Sequence, residues 1–196
     1  MKEHYLRIDM RIGVIKDIIS PFQVQLDRIH EICKKDNYDY WDSIYADDIE
    51  HFVGTVFIVL QNYINSSITD LFPDLSKLHT KYSIDKKINN SQTTRIELII
   101  AVANYYKHRD LPTQLHPNTV KPLEDLNIEY KEVYDIQDER CFHISGSCSP
   151  VFTGFSILSE FWSFNDLIEI VTDWRENMWQ KEDEIIRLTT KKPTNG

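Results

Sequence analysis

Apolar residues recur at helical spacing along most of the chain. Ile8, Ile12, Ile15 and Ile19 fall four, three and four residues apart, which predicts an amphipathic helix over residues 5–19. Pro21 interrupts it. Phe22, Leu26, Ile29 and Cys33 then repeat the pattern, as a second helix or a continuation after a kink. The polar and aromatic stretch KKDNYDYWDS (34–43) reads as a connection.

The strongest pattern runs from Asp47 to Leu71. Ile49, Phe52, Val53, Val56, Phe57, Leu60, Ile64 and Ile68 form its stripe, and Ile58 and Val59 lie off it. A helix that is apolar on more than one side belongs at the centre. Asp47 and Asp48 stand where the amide-rich helix start favours negative charge. Pro73 ends the helix, and residues 73–94 read as a polar connection with room for one helical turn.

A further helix is expected over residues 92–108. Ile96, Ile99, Ile100 and Ala103 cluster on one face. At about 100° per residue, Glu97, Asn104 and His108 fall within about 40° of each other on the flank of that face. Residues 109–125 hold three prolines and no period, and read as a loop or a pair of short turns.

Residues 126–158 are richer in β-branched and aromatic residues, with Ser-Gly-Ser and Ser-Pro punctuation. A small hairpin or irregular β-like insertion is expected there. Ser163 and Asp166 resemble a capping box. Phe164, Leu167, Ile168, Val171, Trp174, Met178 and Ile185 trace a last helix to about Leu188, and residues 191–196 are expected to be a disordered tail. The expectation is a mostly α protein: one domain over residues 1–190, a bundle of five to six helices with a small β-like insertion.

Composition adjusts this picture little. Five glycines in 196 residues leave few tight turns, which favours helices over a many-stranded sandwich. The net charge of −9 opposes non-specific binding to a phosphate backbone, whose affinity comes mainly from Lys and Arg. Three cysteines imply no disulfide framework. The charged N-terminus lacks the apolar core of a signal peptide. The longest apolar run, VFIVL (56–60), is far short of a membrane span. A cytoplasmic protein with no membrane partner is expected.

Several chemistries can be set aside. The chain has no phosphate-binding glycine loop, no Gly-x-Ser-x-Gly and no His-Glu-x-x-His. Cys141, His143 and Cys148 fall short of the four ligands of a tetrahedral zinc site, so neither metal nor cofactor is expected. The three Trp at 162, 174 and 179, with Tyr105 and Tyr106, offer a base-stacking platform, although aromatics at helical spacing more often form core.

The stretch ANYYKHRDLP (103–112) carries the remaining chemistry. His is the side chain best placed to move a proton near neutral pH, and Arg the one suited to steady a phosphate. The segment resembles the HEPN superfamily, all-helical domains that often act as metal-independent ribonucleases in defence and toxin–antitoxin systems. Their signature is an Arg, a following polar residue, and a His near a helix end. The resemblance spans roughly residues 47–110. It puts Asn104 and His108 at the polar and His positions, while the Arg position falls on Ala103. It implies His108 as general base or acid, Asn104 as the holder of His108 or of a phosphate, and Arg109 as a substitute cation. An Ala at the guanidinium position implies weakened or absent cleavage. The plainer reading is that Asn104 and His108 finish the helix C-terminus.

Three functions follow. The first is a non-enzymatic antitoxin- or immunity-type protein that covers a basic protein partner with an acidic surface. The second is a HEPN-like ribonuclease acting on RNA. The third is a structural module that forms a homodimer through the apolar surface of residues 49–71.

Overall fold

A computed structural model describes residues 7–36, 46–72, 78–135, 140–142, 144 and 146–190. The protein is a helical bundle. Its α-helices are α1 (Arg11–Asp36), α2 (Ala46–Leu71), α3 (Leu78–Tyr82), α4 (Arg95–His108), α5 (Pro117–Asp125), α6 (Pro150–Leu158) and α7 (Phe164–Thr190). These are seven among the described residues, against the five to six expected. The expected tail at 191–196 lies outside the described residues.

The centre is built on α2 and α4. Ile49, Val53, Val56, Phe57, Leu60, Ile64 and Ile68 of α2 are each at most 1% exposed, and Ile58 and Val59 pack against the core. The main apolar stripe of residues 49–71 therefore lies inside the fold. Exposed apolar side chains sit elsewhere, at Met10, Val14, Ile18 and Val24.

Burial on α4 is wider than the single stripe in its sequence: Leu98, Ala101, Val102 and Tyr105 are as buried as Ile96 and Ile99. Two glycines let its neighbours close on it. A Cβ on Gly54 of α2 would sit 2.4 Å from the Tyr106 ring, and one on Gly154 of α6 would sit 2.5 Å from Val102 Cγ2.

The start of α4 is a capping box. The Thr94 hydroxyl accepts the Glu97 N–H at 3.2 Å, and Glu97 Oε2 accepts the Thr94 N–H at 2.8 Å. Two helix-start donors are thereby satisfied reciprocally.

Pro21 does not reset the chain. It lies inside α1, which runs unbroken for 26 residues. The ring removes the N–H that would bond the Asp17 carbonyl, and the Ser20 hydroxyl donates to that carbonyl instead, at 3.4 Å.

Residues 109–125 are more regular than their three prolines suggest. A 3-10 turn (Pro112–Gln114) leads into α5, where Pro117 occupies a first-turn position that needs no N–H.

The stretch 126–158 is not a β unit. Strands β1 (Glu132–Asp135) and β2 (Arg140–Phe142) pair antiparallel with a shift in register. Residues 150–158, read as β-like from their bulky side chains, form helix α6. Ser149 caps it and Pro150 opens it. Pro150, Val151, Phe152, Gly154 and Phe155 are buried, and a helix packed on most sides shows no period.

The start of α7 also differs from its expected capping box. Ser159, not Ser163, supplies the hydroxyl: it donates to the Asp166 carboxylate at 2.6 Å and accepts the Ser163 N–H at 2.8 Å. Gln23 of α1 accepts the Phe164 N–H at 2.8 Å. Among the described residues no helix is long and apolar enough to cross a membrane.

Candidate functional site

Helix α4 ends at His108 because Leu111 must leave the helical region ahead of Pro112. Consecutive residues at that end diverge by about 100°, and His108 and Arg109 go to different places.

Arg109 turns to a buried polar cluster. Its Nη1 lies 2.7 Å from Glu50 Oε1, with the two side chains 16% and 3% exposed. The Ser149 hydroxyl donates to the same oxygen at 2.7 Å, so one carboxylate ties α2, the end of α4 and the start of α6. The guanidinium also lies over the Tyr106 ring, 5.0 Å from its centroid, and the Tyr106 hydroxyl is 2.7 Å from His51 Nδ1. The Tyr105 hydroxyl donates to the Ile144 carbonyl at 3.2 Å. Burial pushes the Tyr105 phenol above its ordinary range, and the nearby Glu50 charge adds to the shift.

His108 and Asn104 face the other way, into an open cleft of about 750 Å³ between α2, α4 and the 112–125 segment. Glu97 lines it too, so the flank read from the sequence faces one space. His116 lines the same cleft because the proline-rich segment folds back over α4. Its Nδ1 accepts the Asn118 N–H at 3.1 Å and caps α5. The neutral ring then carries its proton on Nε2.

Two further residues of this wall were not singled out by the sequence. Lys107 Nζ donates to Gln61 Oε1 at 2.6 Å, and Gln61 Nε2 donates to Asn104 Oδ1 at 2.8 Å. Desolvation at the wall lowers the Lys107 pKa. Lys107 lies within ANYYKHRDLP, but no role there followed from the sequence. Gln61 carried one usable signal: it is an amide inside a run of apolar residues on the central helix, and it is 5% exposed.

The two carboxylates on the lining are already engaged. Glu97 serves the α4 cap. Asp125 Oδ2 accepts the Thr93 hydroxyl at 2.7 Å and the Gln92 and Thr93 N–H groups at 2.8 Å each. The Thr93 hydroxyl, followed by these backbone donors, holds the Asp125 carboxyl below its ordinary range.

The structure thus brings Asn104 and His108 together in one cleft and separates Arg109 from them. Trp174, Trp179 and Tyr105 are core residues, at most 4% exposed, so they form no stacking platform. Cys148 is exposed, while His143 and the Cys141 side chain lie outside the described residues. Among the described residues no three His, Cys, Asp or Glu side chains gather as a metal site. No family model, no curated protein and no solved structure matches the chain.

Proposed function

We propose that this chain is a non-enzymatic cytoplasmic binding protein of the antitoxin or immunity type, which neutralises a basic protein partner through an acidic surface. The observation that carries the reading is the engagement of Arg109 by Glu50. It leaves the His108 cleft without a guanidinium among its lining residues.

The net charge of −9 supports the partner's sign. On α7, Glu169, Asp173 and Glu184 are exposed and none of them forms an ion pair among the described residues, although Glu169 and Asp173 share a groove with Lys86, Lys87 and Arg95. Their spacings of four and eleven residues keep them within about 60° of one another. Such a stripe raises the rate of encounter with a basic surface, and the gain falls with ionic strength.

Affinity capture from a native host lysate, at low and high salt, tests the reading. A basic protein retained by the native chain and released by salt is expected, and the Glu169→Lys/Asp173→Lys/Glu184→Lys variant should lose it. Capture of no basic protein, or equal capture by the variant, removes the reading.

A second reading, a HEPN-like metal-independent ribonuclease, is favoured by one observation: His108, His116 and Asn104 share a cleft with Lys107. Two imidazoles could divide acid and base work, with the ammonium standing in for the missing guanidinium. Incubation with total RNA in the presence of chelator separates the readings. The ribonuclease reading requires cleavage by the native chain and none by His108→Ala.

A further inference from the structure

The cleft beside α4 has an ordered chemistry of its own. Lysine can only donate, so Gln61 must present its oxygen to Lys107 and its NH2 to Asn104. Asn104 must then present its oxygen to Gln61. The direction of both amides is fixed by one ammonium group, and the Asn104 NH2 is left on the cleft wall as a donor. His116 is fixed in the same sense: its Nδ1 accepts from Asn118, which leaves the Nε2–H.

The wall therefore keeps donors to spare beside four acceptor atoms that are already engaged. The acceptors Gln61 Oε1, Asn104 Oδ1, Glu97 Oε2 and Asp125 Oδ2 all have donors. The groups with donors to spare are Lys107, Asn104 and His116. Among the described residues the Lys107 ammonium meets an amide oxygen and no carboxylate, although the wall has already removed part of its water. An ammonium whose partner is a neutral amide oxygen gains from an anion.

From this geometry we infer that the cleft binds a small molecule through an oxyanion group, phosphate or carboxylate, held by Lys107 Nζ, the Asn104 NH2 and His116 Nε2–H. The volume of about 750 Å³ lies inside the range of roughly 300–1,000 Å³ usual for small-molecule sites. Ile100 and Leu115 supply apolar contact for the rest of the ligand. The occupant is small because a long phosphate backbone would have to cross a surface carrying a net charge of −9, whereas a small anion needs only the cleft. The site is independent of the acidic face of α7, so partner capture and ligand binding can fail separately.

Titration calorimetry on the full chain tests the site, with pyrophosphate and citrate as separate probes and a short RNA oligonucleotide as the third arm. Binding of pyrophosphate identifies a phosphate-bearing ligand, and binding of citrate a carboxylate-bearing one. Asn104→Asp keeps the side-chain volume and the Gln61 bond but replaces the donor by a carboxylate oxygen. Lys107→Gln removes the charge from an exposed position, and His116→Asn keeps an N-cap acceptor while removing Nε2–H. Each should weaken binding by at least about tenfold, the worth of one charge-assisted hydrogen bond. Lys107→Gln carries the test should Asn104→Asp fail to fold. The inference is overturned if neither small probe binds at millimolar concentration, if only RNA binds, or if the variants bind as the native chain does.

Discussion

His108 and Arg109 are adjacent in the chain, yet they belong to two regions of opposite character. Arg109 enters a nearly dry cluster, where its guanidinium forms an ion pair with the Glu50 carboxylate, which also accepts the Ser149 hydroxyl. His108 enters an open cleft whose polar wall still has hydrogen-bonding capacity to offer. The first region is closed chemistry, and its members hold three helices in place. The second is open chemistry, and its members are available to a ligand. The sequence RDLP after His108 made both residues look like parts of one site. The turn of the helix alone parts them.

The comparison is broken most forcefully at Glu50. Glu50→Ala would leave the Arg109 guanidinium largely buried without its counter-charge, so a loss of about 3–5 kcal/mol is expected, read by chemical denaturation. Glu50→Leu with Arg109→Met should recover most of that loss, because an apolar pair of similar volume often matches a buried ion pair. If the double variant is as unstable as the single one, the cluster matters for something other than its charges. A loss under about 1 kcal/mol for Glu50→Ala would show that the ion pair is solvated, and the contrast between the two regions would dissolve.

Gly54→Ala should come next. The new methyl would sit 2.4 Å from the Tyr106 ring, the ring over which Arg109 lies. Overpacking of this kind costs about 1–3 kcal/mol. The same denaturation experiment checks it, and the displaced ring should alter tyrosine fluorescence.

Much of the fold was legible because burial was one-sided. The periods of α2 and α7 could be read directly: a stripe facing a core leaves its spacing in the sequence. The elements that misled do so for particular reasons. Residues 150–158 are buried on most sides, so bulky residues follow one another without period and resemble a strand. In α5, Pro117 and Pro122 look like breakers, yet the first stands where no N–H is needed and the helix continues through the second. Pro21 misleads in the same way, since nothing local announces that Ser20 will reach the Asp17 carbonyl.

The site was half legible. The alignment of Glu97, Asn104 and His108 follows from helix geometry within one segment. The engagement of Arg109 by Glu50, 59 positions away (109 − 50), is a tertiary fact. So is the Lys107–Gln61–Asn104 chain of donors.

A smaller effect, present at neutral pH and lost in acid, is expected at Asp125. Its carboxyl is held below the ordinary range by the Thr93 hydroxyl and the Gln92 and Thr93 amides. A group with a depressed folded pKa contributes stability above its unfolded value, near pH 4. That contribution is lost as the pH falls through the folded value. Asp125→Asn should therefore lower stability at neutral pH and flatten the fall in stability below about pH 4. Denaturation curves across pH check this. An unchanged acid limb would mean that the contacts binding the cleft rim to the start of α4 do not persist in solution.

The smallest effect decides most about the open region. His108 is exposed at the end of α4, where a positive side chain gains modestly from the helix dipole. If its place is in the cleft rather than in the architecture, His108→Ala should change stability by no more than about 0.5 kcal/mol. A loss above about 1 kcal/mol would make the imidazole a structural finish to the helix. The cleft would then keep its donors, but His108 would belong with Arg109 after all, on the side of the molecule that holds itself together.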